Sequence, residues 1–174
     1  MKVLITAASK YGSTTEIAWA IRGHLIEEGL QAIVIHPDEI TELTGYDAVV
    51  VGSAVYAGRW LRPAKDLVDR LRVQLGDVPV WLFSSGPVGD PPVPAEEDAV
   101  DVADIVLATA AREHRLFAGR IDMSLLGFAE RALVRALRVP PGDFRDWPAI
   151  AEWSRRIAAD LKAPSARPPD AVAG

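Results

Sequence analysis

Four hydroxyl side chains, Ser9, Ser13, Thr14 and Thr15, crowd around Gly12 directly after the apolar run Val3-Leu4-Ile5-Thr6-Ala7-Ala8. Hydroxyls and free backbone amides at the start of a helix hold an anion, because the first-turn N–H groups have no intrahelical partner and the helix dipole favours negative charge there. Gly12 permits a positive φ or a close backbone approach without a Cβ penalty. Ser13 through Glu16 spell S-x-x-E, a capping box that predicts a helix start at residue 13 or 14. A helix cap and a tight turn alone account for the segment equally well. Two better-known phosphate motifs are missing: neither G-x-G-x-x-G nor G-x-x-x-x-G-K-[ST] follows the first strand. A turn with one glycine and several hydroxyls suits a single phosphate, and so a mononucleotide.

Two further segments could complete such a site. Gly52-Ser53-Ala54-Val55-Tyr56-Ala57-Gly58-Arg59-Trp60 brings glycines for close approach and aromatics that can stack on a flat ring. Ser84-Ser85-Gly86-Pro87-Val88-Gly89 offers backbone N–H groups for the ring's other side. Lys10, Arg59, Arg62 and Lys65 fall in or beside these loops and, if gathered, favour an anionic partner. No acid or base among Tyr56, Arg59 and Asp90 stands out, and no catalytic residue is assigned. His24, His36 and His114 show no metal-ligand spacing, and no metal is expected.

The elements that must position these loops follow from the apolar pattern. Strands are expected over 2–7, 31–36, 47–53, 79–84 and 114–121, and helices over 14–28, 62–75, 96–112 and 147–161, with Gly29 ending the first helix. This alternation predicts an α/β fold, a doubly wound parallel sheet with helices on both faces. Ligands of such sheets bind beyond the carboxyl ends of the strands, where the three loops lie. An extra apolar and basic helix over 123–138 either docks on the surface or lies on an anionic membrane. The Pro- and Ala-rich stretch 163–174 reads as a mobile tail to a single domain over 1–162.

Composition narrows the class. With 174 residues, 49% hydrophobic and 25% charged, the chain can bury a proper core. A net charge of −5 argues against nucleic acid as a partner. Zero cysteines exclude disulfides and thiolate chemistry. Without a membrane-length apolar run or a signal-peptide layout the chain reads as cytoplasmic, with peripheral membrane contact through 123–138 as the one open exception.

Over nearly its whole length the chain resembles the flavodoxin family. The resemblance is carried by S-K-Y-G-S-T at Ser9 to Thr14, G-S-A-V-Y-A-G at Gly52 to Gly58 and S-S-G-P-V-G at Ser84 to Gly89. It implies a five-stranded sheet of order 2-1-3-4-5 and bound FMN. Ser9, Lys10, Tyr11, Gly12, Ser13 and Thr14 would hold the phosphate. Ser53, Ala54, Val55, Tyr56, Ala57, Gly58, Ser84, Ser85, Gly86, Pro87, Val88 and Gly89 would surround the isoalloxazine ring. Within the family the chain is similar to the branch of menaquinone-dependent protoporphyrinogen dehydrogenases, on Y-G-S-T-T-E-I-A, on G-S-A-V-Y-A-G, on Phe117 to Arg120 followed by an amphipathic helix, and on Asp146-Trp147. That similarity implies an FMN-dependent oxidoreductase acting on a small molecule, such as protoporphyrinogen IX with a quinone acceptor. The alternative is a flavodoxin-type electron carrier that docks on redox proteins. The chain departs from the family in carrying Lys10 where many members have a small hydroxyl residue, and in having no tyrosine in the third loop.

Overall fold

The structure is a computed structural model, which describes residues 1–86, 88, 100–136 and 138–163. Five parallel strands form the sheet: β1 (Lys2–Ala8), β2 (Gln31–Val34), β3 (Ala48–Tyr56), β5 (Val80–Ser85) and β6 (Glu113–Phe117), in the order β2-β1-β3-β5-β6. A short strand β4 (Arg59–Trp60) folds back antiparallel on the end of β3. Counting the parallel strands alone, this is the expected 2-1-3-4-5 order. The three central strands are buried on both faces, so their sequences read as continuous apolar runs.

Alternate residues of those strands feed two separate cores. Val3, Ile5, Val50, Trp81 and Phe83 pack under α1 (Ser13–Glu27) and α6 (Trp147–Lys162). Leu4, Val49, Val51 and Leu82 face α2 (Arg62–Arg70), α3 (Arg72–Gly76) and α4 (Ala103–Thr109). Phe83, Phe117 and Trp153 meet edge to face or tilted at 5.6–6.2 Å between centroids, a favoured aromatic arrangement. Phe83 lies so close over Gly52 that a Cβ there would sit 2.1 Å from its ring. Gly52 is therefore required by packing, beneath the second loop.

Several boundaries differ from the sequence expectation. The helix expected over 62–75 is two helices, broken at Leu71. The strand expected over 114–121 stops at Phe117, and Arg120 enters a second, two-stranded sheet: β7 (Arg120–Ile121) pairs antiparallel with β8 (Gly142–Asp143). The extra helix is the shorter α5 (Phe128–Ala136). Of the helix expected over 96–112, residues 100–102 are not helical and the helix runs over Ala103–Thr109, while 89–99 and the tail from 164 lie outside the described residues.

Candidate functional site

The first loop runs from Ser9 to the start of α1. Gly12 stands at the helix cap with φ of +83°, the left-handed conformation that its lack of a Cβ allows. The expected capping box does not form. Ser13 already lies in the first turn, and no side chain caps from Gly12. Instead Ser9 Oγ accepts the Thr14 N–H at 3.3 Å, while Glu16 is drawn away by two arginines. Arg145 Nη1 donates to Glu16 Oε2 at 2.8 Å, and Arg120 Nη1 donates to the same oxygen at 3.0 Å. Charge at a distance has taken the residue that the local pattern assigned to the cap.

Thr14 is buried, and its Oγ1 has no hydrogen-bond partner. A buried hydroxyl left unpaired costs about 1–3 kcal/mol. With the open first-turn amides of Ser13 and Thr15, it gives the loop unmet donor capacity suited to an anion.

Beside this loop opens a cavity of about 220 Å³. Tyr11 and Ser13 reach it from the first loop, Ala54, Val55 and Tyr56 from the second, and Ser85, Gly86 and Val88 from the third. The loops approach closely at glycines. A Cβ on Gly86 would lie 3.1 Å from Val55, and one on Gly119 would lie 3.3 Å from Val88. The volume is below the roughly 300–1,000 Å³ of sites that engulf a ligand, and its mainly apolar walls match a flat ring better than a whole mononucleotide.

Other sequence-predicted residues support this cavity from behind or beside it. Ser53 Oγ accepts the Leu61 N–H at 2.9 Å and donates to Ala54 O at 2.8 Å, fastening β4 to the second loop. Ser84 Oγ accepts from Trp60 Nε1 at 2.7 Å and meets His114 Nε2 at 2.8 Å. Burial pushes the His114 imidazole below its ordinary pKa, which keeps it neutral and able to accept from Ser84. Ala57 and Gly58, with φ of +49° and +71°, form the tight turn between β3 and β4. Pro87 and Gly89 lie outside the described residues.

The expected gathering of cations is corrected. Arg59 and Lys65 line a separate depression with Asp101 and Asp104, and Arg62 pairs with Asp66 one helical turn on. The short hairpin β3–β4 places Arg59 in that depression, and none of the three lines the cavity. Lys10 does stay beside the site, over the rings of Tyr11 at 5.2 Å and Tyr56 at 5.7 Å.

Sequence reasoning did not assign Gly119, Arg120, Ile121, Leu126, Glu130 and Val134 to the cavity, yet all line it. Leu126, Glu130 and Val134 recur every fourth residue, so one face of α5 and its approach covers one side of the cavity, while Phe128 projects outward and is 91% exposed. Glu130 holds that helix to the first loop. Its carboxylate accepts from Lys10 Nζ at 2.7 Å, from the Tyr11 hydroxyl and from the Gly127 N–H at 2.9 Å. Lys10 first, then Tyr11 and the Gly127 amide, hold the Glu130 carboxyl down at about 2. The period-four spacing was visible in the sequence, but nothing local showed which side of the helix would meet the sheet edge.

A doubly wound sheet of this order, with three loops meeting beyond its strand ends, defines a flavodoxin-like α/β protein. The model of the flavodoxin domain family matches residues 4–146, and the chain belongs to that family. Protoporphyrinogen IX dehydrogenase [quinone] of Escherichia coli (strain K12) is 25% identical over 172 residues, covering 91% of this chain and 95% of the relative. Among solved structures, an archaeal flavodoxin superposes with a TM-score of 0.65 at 16% identity, covering 93% of this chain and 99% of its own. Rubredoxin oxygen:oxidoreductase from Desulfovibrio gigas gives 0.61 at 14% identity, with 93% of this chain and 36% of that one covered. These likenesses in structure concern the fold. No described helix is long and apolar enough to cross a membrane, and the described residues contain no cluster of three or more His, Asp or Glu that could hold a metal ion.

Proposed function

We propose that the protein is an FMN-dependent oxidoreductase that acts on a small molecule. The observation that carries this reading is the apolar cavity beside an anion-ready loop, covered on one side by α5. The first loop, Ser9 to Thr14, would take the phosphate; Ala54 to Tyr56 and Ser85 to Val88 would flank the ring. FMN supplies one- or two-electron chemistry when bound. The chain's part is to hold an anion at the Thr14 hydroxyl and the first-turn amides, to exclude water with Val55, Leu126 and Val134, and to keep Lys10 charged beside the ring edge. Glu130, and then Tyr11, raise the Lys10 ammonium above its ordinary pKa.

A covering helix favours a small substrate over a docking protein, since a carrier exchanges electrons through an open ring edge. Similarity over 95% of a protoporphyrinogen IX dehydrogenase [quinone] supports a porphyrinogen-like substrate and a quinone acceptor.

Reconstitution of the purified chain with FMN and with FAD, followed by gel filtration and a visible spectrum, tests the assignment. FMN is expected to be retained and FAD lost, because the site offers one anion position. Thr14→Ala should weaken FMN binding by about one to two orders of magnitude, the worth of a hydrogen bond to a charged group. Equal retention of FAD, or retention of neither flavin, refutes the reading.

A further inference from the structure

Arg120 is the one lysine or arginine among the described residues lining the cavity. It leaves a fixed point, because its backbone pairs with Asp143 across β7 and β8. Its guanidinium carries five donors, yet among the described residues it has one side-chain partner, Glu16, reached through a single nitrogen at 3.0 Å.

Glu16 does not depend on that contact. The same oxygen accepts from Arg145 at 2.8 Å, and Arg145 is locked in place. Its Nε and Nη2 grip both oxygens of Asp143 at 2.8 and 2.6 Å, Nη1 also donates to Ser13 O at 3.1 Å, and its side chain is 2% exposed. Two carboxylates, Glu16 and Asp143, thus keep a shared cation if Arg120 moves. The two cations and two carboxylates of the cluster balance, and Arg120 is the more loosely held cation, while Ser13, in the first turn of α1, lines the same cavity.

We propose that Arg120 exchanges Glu16 for the phosphate dianion of the cofactor, adding a cation to the neutral donors of the first loop. This rests on the FMN reading above. Glu16 keeps its hydrogen bond from Arg145 when Arg120 turns away, and a guanidinium fork matches phosphate geometry. The unpartnered Thr14 hydroxyl at the same helix start is the second group that such an anion would satisfy.

Riboflavin has the ring without the phosphate and separates the two contributions. FMN and riboflavin are titrated into the flavin-free full chain, following quenching of flavin fluorescence, for the parent, Arg120→Gln and Arg120→Lys. Arg120→Gln is expected to weaken FMN by about tenfold to a hundredfold and to leave riboflavin unchanged. Arg120→Lys should recover part of the loss, and added salt should weaken FMN less in Arg120→Gln than in the parent. Equal losses for both flavins would mean that Arg120 only shapes the ring cavity, and unchanged FMN affinity would mean that it stays with Glu16; either result overturns the proposal while FMN binding stands. Failure of the parent to bind either flavin overturns the FMN reading and this inference with it.

Discussion

The two ends of the first loop are anchored by opposite means. At its base Arg145 is enclosed, gripping Asp143 through two nitrogens, reaching Glu16 and Ser13 O, and lying 4.3 Å from the centre of the Trp147 ring. At its tip Lys10 is 50% exposed and reaches the Glu130 carboxylate, which belongs to a helix on the far side of the cavity. A buried, forked cation with several acceptors fixes one geometry, whereas an exposed ammonium holds loosely and is screened by salt. The loop is therefore held firmly where it begins the helix and more loosely where it meets the cover.

The largest expected effect is at the base. Arg145→Ala leaves two carboxylates without their shared cation and opens a void beside Trp147. Because Glu16 and Asp143 can rehydrate, the loss should be about 2–3 kcal/mol, below the 3–5 kcal/mol of a fully buried broken pair. Chemical denaturation should show a lower midpoint with an unchanged slope. A loss no greater than that of Glu130→Gln would erase the contrast between base and tip.

At the tip the expected effect is smaller and depends on pH. Glu130 is held at about 2 in the folded chain, against 4.5 for an ordinary glutamate. Since the folded value is the lower one, the stabilisation is fully present above about 4.5 and disappears as pH falls toward 2. Glu130→Gln should lower the melting temperature by about 1–3 °C at neutral pH and low salt. The difference from the parent should vanish near pH 2. A difference that persists there would assign the effect to packing of α5 instead of charge.

The smallest effect is expected from Arg59→Gln combined with Arg62→Gln. Arg62 is 89% exposed and Arg59 faces Asp101 and Asp104 across a separate depression. Stability should stay within about 0.5 kcal/mol, and the Michaelis constants for anionic and neutral substrates should move alike. A selective rise for the anionic substrate would return these arginines to the site.

How much of this was legible follows from the range of the forces involved. Strands β1, β3 and β5 announce themselves because burial on both faces makes each an unbroken apolar run, and their alternation with helices gives a parallel, doubly wound sheet, whereas its strand order was implied only by the family resemblance. Gly12 was readable because one residue's backbone freedom decides the turn. The fate of Glu16 was not: its partners lie 104 and 129 residues away, and their charge overrode a capping pattern that was locally sound. Arg59 and Arg62 sit in the right loop in sequence, but Arg59 belongs to a two-residue strand, β4, beside a separate depression, and Arg62 opens α2, where it pairs with Asp66. Arg120 and Glu130 enter the cavity only because the chain leaves the main sheet after Phe117 and returns, a path that no local period encodes.

That path fixes how the cover is attached. Ile121 pairs with Gly142 and Arg120 with Asp143, so the segment 122–141 leaves and rejoins the body at adjacent points, like a flap stitched along one seam. An excursion closed in this way can be lengthened, shortened or exchanged at little entropic penalty to the sheet. The covering helix is thus joined to the body along one seam that lies outside the main sheet.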